Sequence, residues 1–204
     1  MCPADIPTTS SGLTPAAPVD GCRRRVIGMA AAGVALPFAL PFALTALPAA
    51  AAEAGQAGDR LVEEDAEGAP TPLRIADLKP GKPVIVFPFD TQRKALRDQT
   101  RLNKIVLIRL PEAEMTAETR ARAAGGVLAY SAICTHQACD VKTWLSKEKA
   151  LVCYCHASKF ALLDGGVVTA GPATRALPAL PLAVDGDELV IAGAFTAPPG
   201  ASPA

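Results

Sequence analysis

Cys134-Thr135-His136-Gln137-Ala138-Cys139 and Cys153-Tyr154-Cys155-His156-Ala157-Ser158 together hold four of the six cysteines and both histidines of this chain. As plain metal spacing, two boxes of thiolates and imidazoles could build a structural zinc site, which takes four such ligands in a tetrahedron. Zinc fits the spacing poorly. Its paired cysteines usually stand two to four residues apart, whereas one residue separates Cys153 from Cys155, and six candidate ligands leave two cysteines over.

Outward from the boxes the pattern is that of strands. Val84-Ile85-Val86-Phe87, Ile105-Val106-Leu107-Ile108 and Val127-Leu128-Ala129-Tyr130 are rich in β-branched or aromatic residues and bounded by Gly, Pro or charged segments. Beyond the first box, Leu151-Val152, Phe160 to Leu163 before Asp164-Gly165-Gly166, Val167-Val168, Leu182 to Val184 before Asp185-Gly186, and Leu189 to Ile191 read as hairpins. Glu112 to Ala124 is rich in Ala, Glu and Arg, sets Glu118 four residues before Arg122 and stops at Gly125-Gly126, so one short surface helix is expected there. A chain of 204 residues suits one core. The expected domain is mainly β and runs from 73 to 195, with 196 to 204 as a loose tail.

The segment 53 to 72 is acidic and rich in Ala and Gly, which suits a flexible, solvated linker. Before it, Cys22-Arg23-Arg24-Arg25-Val26-Ile27 leads into an uncharged run to Ala52. An arginine pair, one further residue and two apolar residues resemble a twin-arginine export signal carried by Arg23 and Arg24, which would engage the Tat export machinery. Pro37, Pro41 and Pro48 interrupt the run, and Ala49 to Ala52 offer small residues for cleavage. The second reading of 1 to 52 is a retained anchor, since about 20 apolar residues can span a bilayer. Either reading exports the domain to the periplasm, soluble or membrane-associated. Cys2 and Cys22 precede the run and are given no part in the site.

The two boxes are similar to those of the Rieske family, Cys-x-His-x-x-Cys and Cys-x-Cys-His, and all six positions match. The resemblance implies an all-β Rieske fold of antiparallel sheets with a cluster-binding subdomain of two loops. It also implies one 2Fe-2S cluster, with Cys134 and Cys153 on one iron and His136 and His156 on the other. The remaining Cys139 and Cys155 would form a disulfide, which persists only in an oxidising compartment and so agrees with export.

Replacing two thiolates by neutral imidazoles lifts the potential from about −400 mV toward roughly −150 to +300 mV, within reach of mild reductants such as quinols. Hydrogen bonds to the sulfurs raise it further. In the family's high-potential members a Ser two residues past the second His and a Tyr two further on supply them; here those positions hold Ser158 and Phe160. The expected potential is therefore below that of typical cytochrome bc complex Rieske proteins. Other departures are Tyr154 where Pro is usual, and Ala138 and Ala157 where Gly is usual. Gly171-Pro172-Ala173-Thr174 resembles the family's third loop, in which Pro stiffens a cover over the cluster and Gly turns tightly.

Composition excludes several classes. With 20 basic and 20 acidic residues the chain is no nucleic-acid binder. An oxygenase catalytic subunit needs a second iron held by further histidines, and none stands outside the boxes. Cys153-Tyr154-Cys155-His156 is one residue short of a haem-attachment motif, and no Gly-rich nucleotide loop is visible. Within what is left, the resemblance implies an exported one-electron carrier rather than a complete catalyst. Its redox partner would be a molybdenum-enzyme large subunit, or a protein of cytochrome c or cytochrome b type. The region from Gly81-Lys82-Pro83-Val84 to Tyr130 resembles the small subunit of arsenite oxidase; a Rieske subunit of quinol:cytochrome c reductase and an independent periplasmic carrier are the alternatives.

Overall fold

The computed structural model describes residues 54–64 and 68–201. Arg23, Arg24 and the rest of the segment expected to direct export lie outside them. Eleven strands and one α-helix follow one another as β1 (Arg60–Glu63), β2 (Val84–Asp90), β3 (Ala95–Leu96), β4 (Ile105–Arg109), α1 (Ala117–Arg120), β5 (Val127–Ser131), β6 (Thr143–Leu145), β7 (Ala150–Cys153), β8 (Ser158–Ala161), β9 (Val167–Ala170), β10 (Leu182–Asp185) and β11 (Glu188–Ile191). One sheet has the order β10-β11-β1-β2-β4-β5, with β3 hung on β2; a second has the order β6-β7-β8-β9 and is inserted between β5 and β10. Every strand pair is antiparallel. The larger sheet curls until the stretch before β10 runs along the free edge of β5, where Ser131 N–H donates to Pro178 O at 2.8 Å and Leu180 N–H to Ala129 O at 2.9 Å.

The continuous apolar run of β4 has a physical reason. Alternate residues of a strand point to opposite faces, and here both faces are covered. Ile105 and Leu107 enter one core with Leu61, Val86, Val127, Ala129, Leu189 and Ile191. Val106 and Ile108 enter another with Leu128, Tyr130, Leu151, Phe160 and Leu162. Each such side chain contributes about 1.5–3 kcal/mol by leaving water. β4 and β5 are thus a wall shared by the curled sheet and the inserted sheet. Tyr130 ties the wall to the inserted segment: its hydroxyl donates to Leu162 O at 2.7 Å, and burial pushes its phenol far above the ordinary tyrosine range.

Three expectations need correction. The linker assigned to 53–72 contains β1, whose Leu61 and Val62 are buried. Two apolar residues among acids carry little period of their own; the strand exists because β2 and β11 pair with it on either side. Just before it, Asp59 and Arg97 are each 5% exposed and bonded at 2.8 Å, with Arg97 also reaching Asp90 at 3.1 Å. Charges removed from water hold because they face opposite charges, and losing Arg97 would leave the buried Asp59 carboxylate without its ion-pair partner.

The tail is likewise not loose. Thr196 N–H donates to Ala179 O at 2.9 Å, and the Arg175 guanidinium donates to Pro198 O and Gly200 O.

The helix is shorter than expected. Glu112–Glu114 is a 3-10 turn and α1 has four residues, because Thr116 N–H leaves the helical ladder for Leu163 O at 3.0 Å. The Thr116 hydroxyl then caps α1 by accepting from Thr119 N–H. The Glu118 to Arg122 ion pair forms as the spacing suggests.

Candidate metal centre

Two loops leave the inserted sheet side by side. The first runs from β5 to β6 and is pinched at its base, where Cys134 N–H donates to Cys139 O at 2.7 Å and Val141 N–H to Ala132 O at 2.7 Å. The second is the four-residue turn Tyr154 to Ala157, closed by the register pair Cys153 and Ser158. A disulfide between Cys139 and Cys155, with Cα atoms 6.6 Å apart, joins the loops.

Inside this clasp lie the two free thiols of the described residues, Cys134 and Cys153, each 1% exposed and within each other's electrostatic reach. Burial pushes the Cys134 thiol up, while the main-chain N–H groups of His136 and Gln137 donate to its sulfur and pull the other way. Two buried thiolates would repel strongly without a cation between them. The His136 and His156 rings stand 4.8 Å apart, edge to face at 89°. His156 is exposed and His136 partly buried. His136 Nδ1 is buried without a hydrogen-bond partner, an arrangement that costs about 1–3 kcal/mol unless something is bound there. Cys153 Sγ also lies within 4.8 Å of the Cys139 and Cys155 sulfurs, but a disulfide sulfur is no thiolate ligand. The set that can hold metal is therefore two thiols and two imidazoles, and it suits a group with two thiolate and two imidazole positions.

All the second-rank residues converge here. Ser158 is wholly buried and its Oγ accepts from Ala173 N–H at 3.2 Å, which leaves its own O–H free to donate. Phe160 is wholly buried in the same core as Cys134 and Cys153. Gly171 sits against the second loop with φ +86°, so close that a Cβ would lie 2.4 Å from Ser158 Cα. Pro172 is exposed beside it. Sequence reasoning missed Thr135 and Arg175: the buried Thr135 donates its hydroxyl to Arg175 O at 2.7 Å, a pairing between distant positions that no spacing encodes.

Ala138 and Ala157 occupy equivalent places in the two loops and both are left-handed, at φ +56° and +58°. For a residue with a Cβ that conformation costs about 1–2 kcal/mol, part of which glycine would return as greater freedom of the unfolded chain. Ala138→Gly and Ala157→Gly are each expected to stabilise the protein by up to about 1 kcal/mol, seen as a rise of about 2–4 °C in thermal midpoint. A fall in both would contradict the conformations described.

The pattern of the Rieske [2Fe-2S] domain matches residues 73–181. The cytochrome bc1 complex Rieske iron-sulfur subunit of Streptomyces lividans is 32% identical over 133 residues, covering 63% of this chain and 78% of that one. The subunit of the same description from Corynebacterium glutamicum is 39% identical over 104 residues, 48% of this chain and 26% of that protein. A proposed respiratory nitrate reductase Rieske subunit of Haloferax mediterranei is 45% identical over 76 residues, 37% of this chain and 34% of that protein. This chain thus spans only about a quarter to a third of the length of the last two relatives.

Proposed function

Because the chain belongs to the Rieske [2Fe-2S] domain family and is an electron-transfer protein with a 2Fe-2S cluster, we propose that it is the small electron-transfer subunit of an exported respiratory oxidoreductase. Cys134 and Cys153 hold one iron and His136 and His156 the other. The observation that carries this assignment is the buried, unpartnered Nδ1 of His136, whose ring lies 4.8 Å from that of His156, on the same two loops as the buried free thiols of Cys134 and Cys153. When bound, the cluster supplies one-electron storage at a potential raised by its neutral imidazole ligands. The protein orients the imidazoles outward, so the exposed His156 sets the closest approach of a redox partner. It also keeps water from the thiolates by burying both, and points the His136 and Gln137 amides at the Cys134 sulfur.

The partner is proposed to be a molybdenum-containing large subunit of the arsenite-oxidase kind. Phe160 favours this choice, since the absent hydroxyl leaves one hydrogen bond fewer to stabilise the reduced state. The second reading, a quinol:cytochrome c reductase subunit working between cytochrome b and cytochrome c type partners, is favoured by the cytochrome bc1 relatives. Export by the Tat machinery through Arg23 and Arg24 belongs to both readings. Among the described residues no helix is long and apolar enough to cross a membrane.

The deciding experiment is low-temperature EPR of the dithionite-reduced protein, with redox titration of its signal. A rhombic spectrum with average g below that of all-cysteine clusters is expected, at a midpoint lower than that of cytochrome bc1 Rieske proteins. A midpoint equal to theirs would favour the quinol reading, and a silent zinc-containing sample would sink both. Phe160→Tyr should raise the midpoint by roughly 40 mV, the one-electron equivalent of a hydrogen bond worth about 1 kcal/mol more to the reduced state.

A further inference from the structure

The loop Gly171 to Arg175 covers the second cluster-bearing turn, and its anchors are unequal. At one end Gly171 is locked by backbone contact with Ser158 and Ala157. In the middle, Ala173 N–H reaches Ser158 Oγ at 3.2 Å. At the far end, Arg175 O accepts from Thr135, the residue between Cys134 and His136, at 2.7 Å. That last contact binds the cover to the first loop, and so bridges the two loops a second time.

Arg175 is itself held from outside. Its Nη1 donates to Pro198 O at 2.9 Å and its Nη2 to Gly200 O at 2.5 Å. The segment bearing these carbonyls is fixed upstream, where Thr196 exchanges two bonds with Ala179, N–H to O at 2.9 Å and Oγ1 from N–H at 3.0 Å. Downstream, the buried Gly200 turns at φ +86° against Leu102 and Ile133, the latter directly before Cys134. Two carbonyls presented together to one guanidinium suit its fixed fork of donors, and hydrogen bonds to a charged donor are stronger than neutral ones.

We propose that residues 196–200 form a strap that, through Arg175 as a positioning residue, holds the 171–175 cover down over the metal centre and so sets the access of small solutes to it. The inference rests on the cluster assignment above, but the strap itself is a property of the polypeptide. Arg175 and the strap act on the centre through the cover, by way of Thr135. Their loss frees the Thr135 end of the cover while leaving Gly171 and the disulfide in place.

The test compares three forms of the full cluster-loaded protein: Arg175→Gln, Arg175→Lys, and a chain shortened after Ala197, which keeps Thr196 and removes both carbonyls. Bleaching of visible absorbance by an iron chelator is expected to speed up at least about tenfold in Arg175→Gln and in the shortened chain, since one lost hydrogen bond to a charged group accounts for about that much and up to two are lost. Amide hydrogen exchange should rise in 171–176 and in the loop at 134–138, with the β4 and β5 amides unchanged. Arg175→Lys, able to donate to these carbonyls as a point charge, should restore most of the protection. Unchanged bleaching and exchange in the shortened chain would overturn the strap even if Arg175→Gln failed to fold. A uniform rise across the domain would overturn it too, by making the segment a general stabiliser. Absence of absorbance in the unmodified protein would count against the cluster assignment alone, and the exchange measurement would still decide the strap.

Discussion

Cys153→Ser is expected to yield a folded, colourless protein whose iron and inorganic sulfide fall to background. Cys153 is the last residue of β7, 1% exposed, and its sulfur lies within electrostatic reach of Cys134. Serine fits the same space, yet its hydroxyl stays protonated where a thiol would ionise, and the cluster irons select thiolate ligands. The strand register is set by main-chain bonds from Ala150 to Cys153 against Ser158 to Ala161, and the Cys139 to Cys155 disulfide is untouched, so far-UV circular dichroism should not change. Iron analysis beside the visible spectrum checks this. Iron retained at the unmodified level would remove Cys153 from the ligand set, and with it the proposed division of two sulfurs and two imidazoles between the irons.

Gly171→Ala should be the most destabilising single methyl added to the cluster-bearing region. At φ +86° any side chain is strained, at about 1–2 kcal/mol. The new Cβ would also stand 2.4 Å from Ser158 Cα, 2.6 Å from Ser158 N and 2.8 Å from Ala157 C, all backbone atoms. Backbone cannot rotate aside as the end of a flexible side chain can, so the second loop or the cover must move, which typically costs a further 1–3 kcal/mol. A total of about 2–5 kcal/mol corresponds to a fall of roughly 10 °C in the thermal midpoint for a domain of this size. Because Ser158 is the atom group displaced and its Oγ also carries the Ala173 amide, the EPR line shape should shift along with the melting temperature. A melt within a degree of the unmodified protein would show that the close packing described here is absent in solution.

Much of this was legible in the sequence because it depends on near neighbours. Ligand boxes are short and their chemistry needs fixed spacings, so Cys134 to Cys139 and Cys153 to Ser158 announce themselves. The strands β2 and β4 carry four consecutive apolar residues rich in β-branched side chains, and β5 carries Val127 and Tyr130 in an apolar run; these survive as signals even though both faces of β4 and β5 are buried. What escaped depends on partners far along the chain. Arg60-Leu61-Val62-Glu63 is too short and too charged to read as a strand, and becomes one only between Phe89 and Val190. Asp59 looks like one more solvated acid until Arg97 is seen beside it. Arg175 carries no motif, and its meaning comes from a carbonyl at Pro198, another at Gly200 and a hydroxyl at Thr135. The left-handed Ala138 and Ala157 were visible as departures from the usual glycine, but not as strain until their φ angles were known.

The bond from Ser131 N–H to Pro178 O carries a meaning beyond sheet closure. It joins the point where the chain leaves the curled sheet to the point where it returns, so the whole excursion from Ala132 to Leu177 begins and ends at one doorway. The entropy of closing so long a loop rises only slowly with its length, and the stem that meets it is supplied by the parent sheet rather than by the excursion. Such a segment behaves as a cassette. It can lengthen, shorten or be exchanged for a relative's version at Ser131 and Pro178 without re-threading the host, provided the grafted piece presents apolar side chains to Leu128 and Tyr130 on the shared wall.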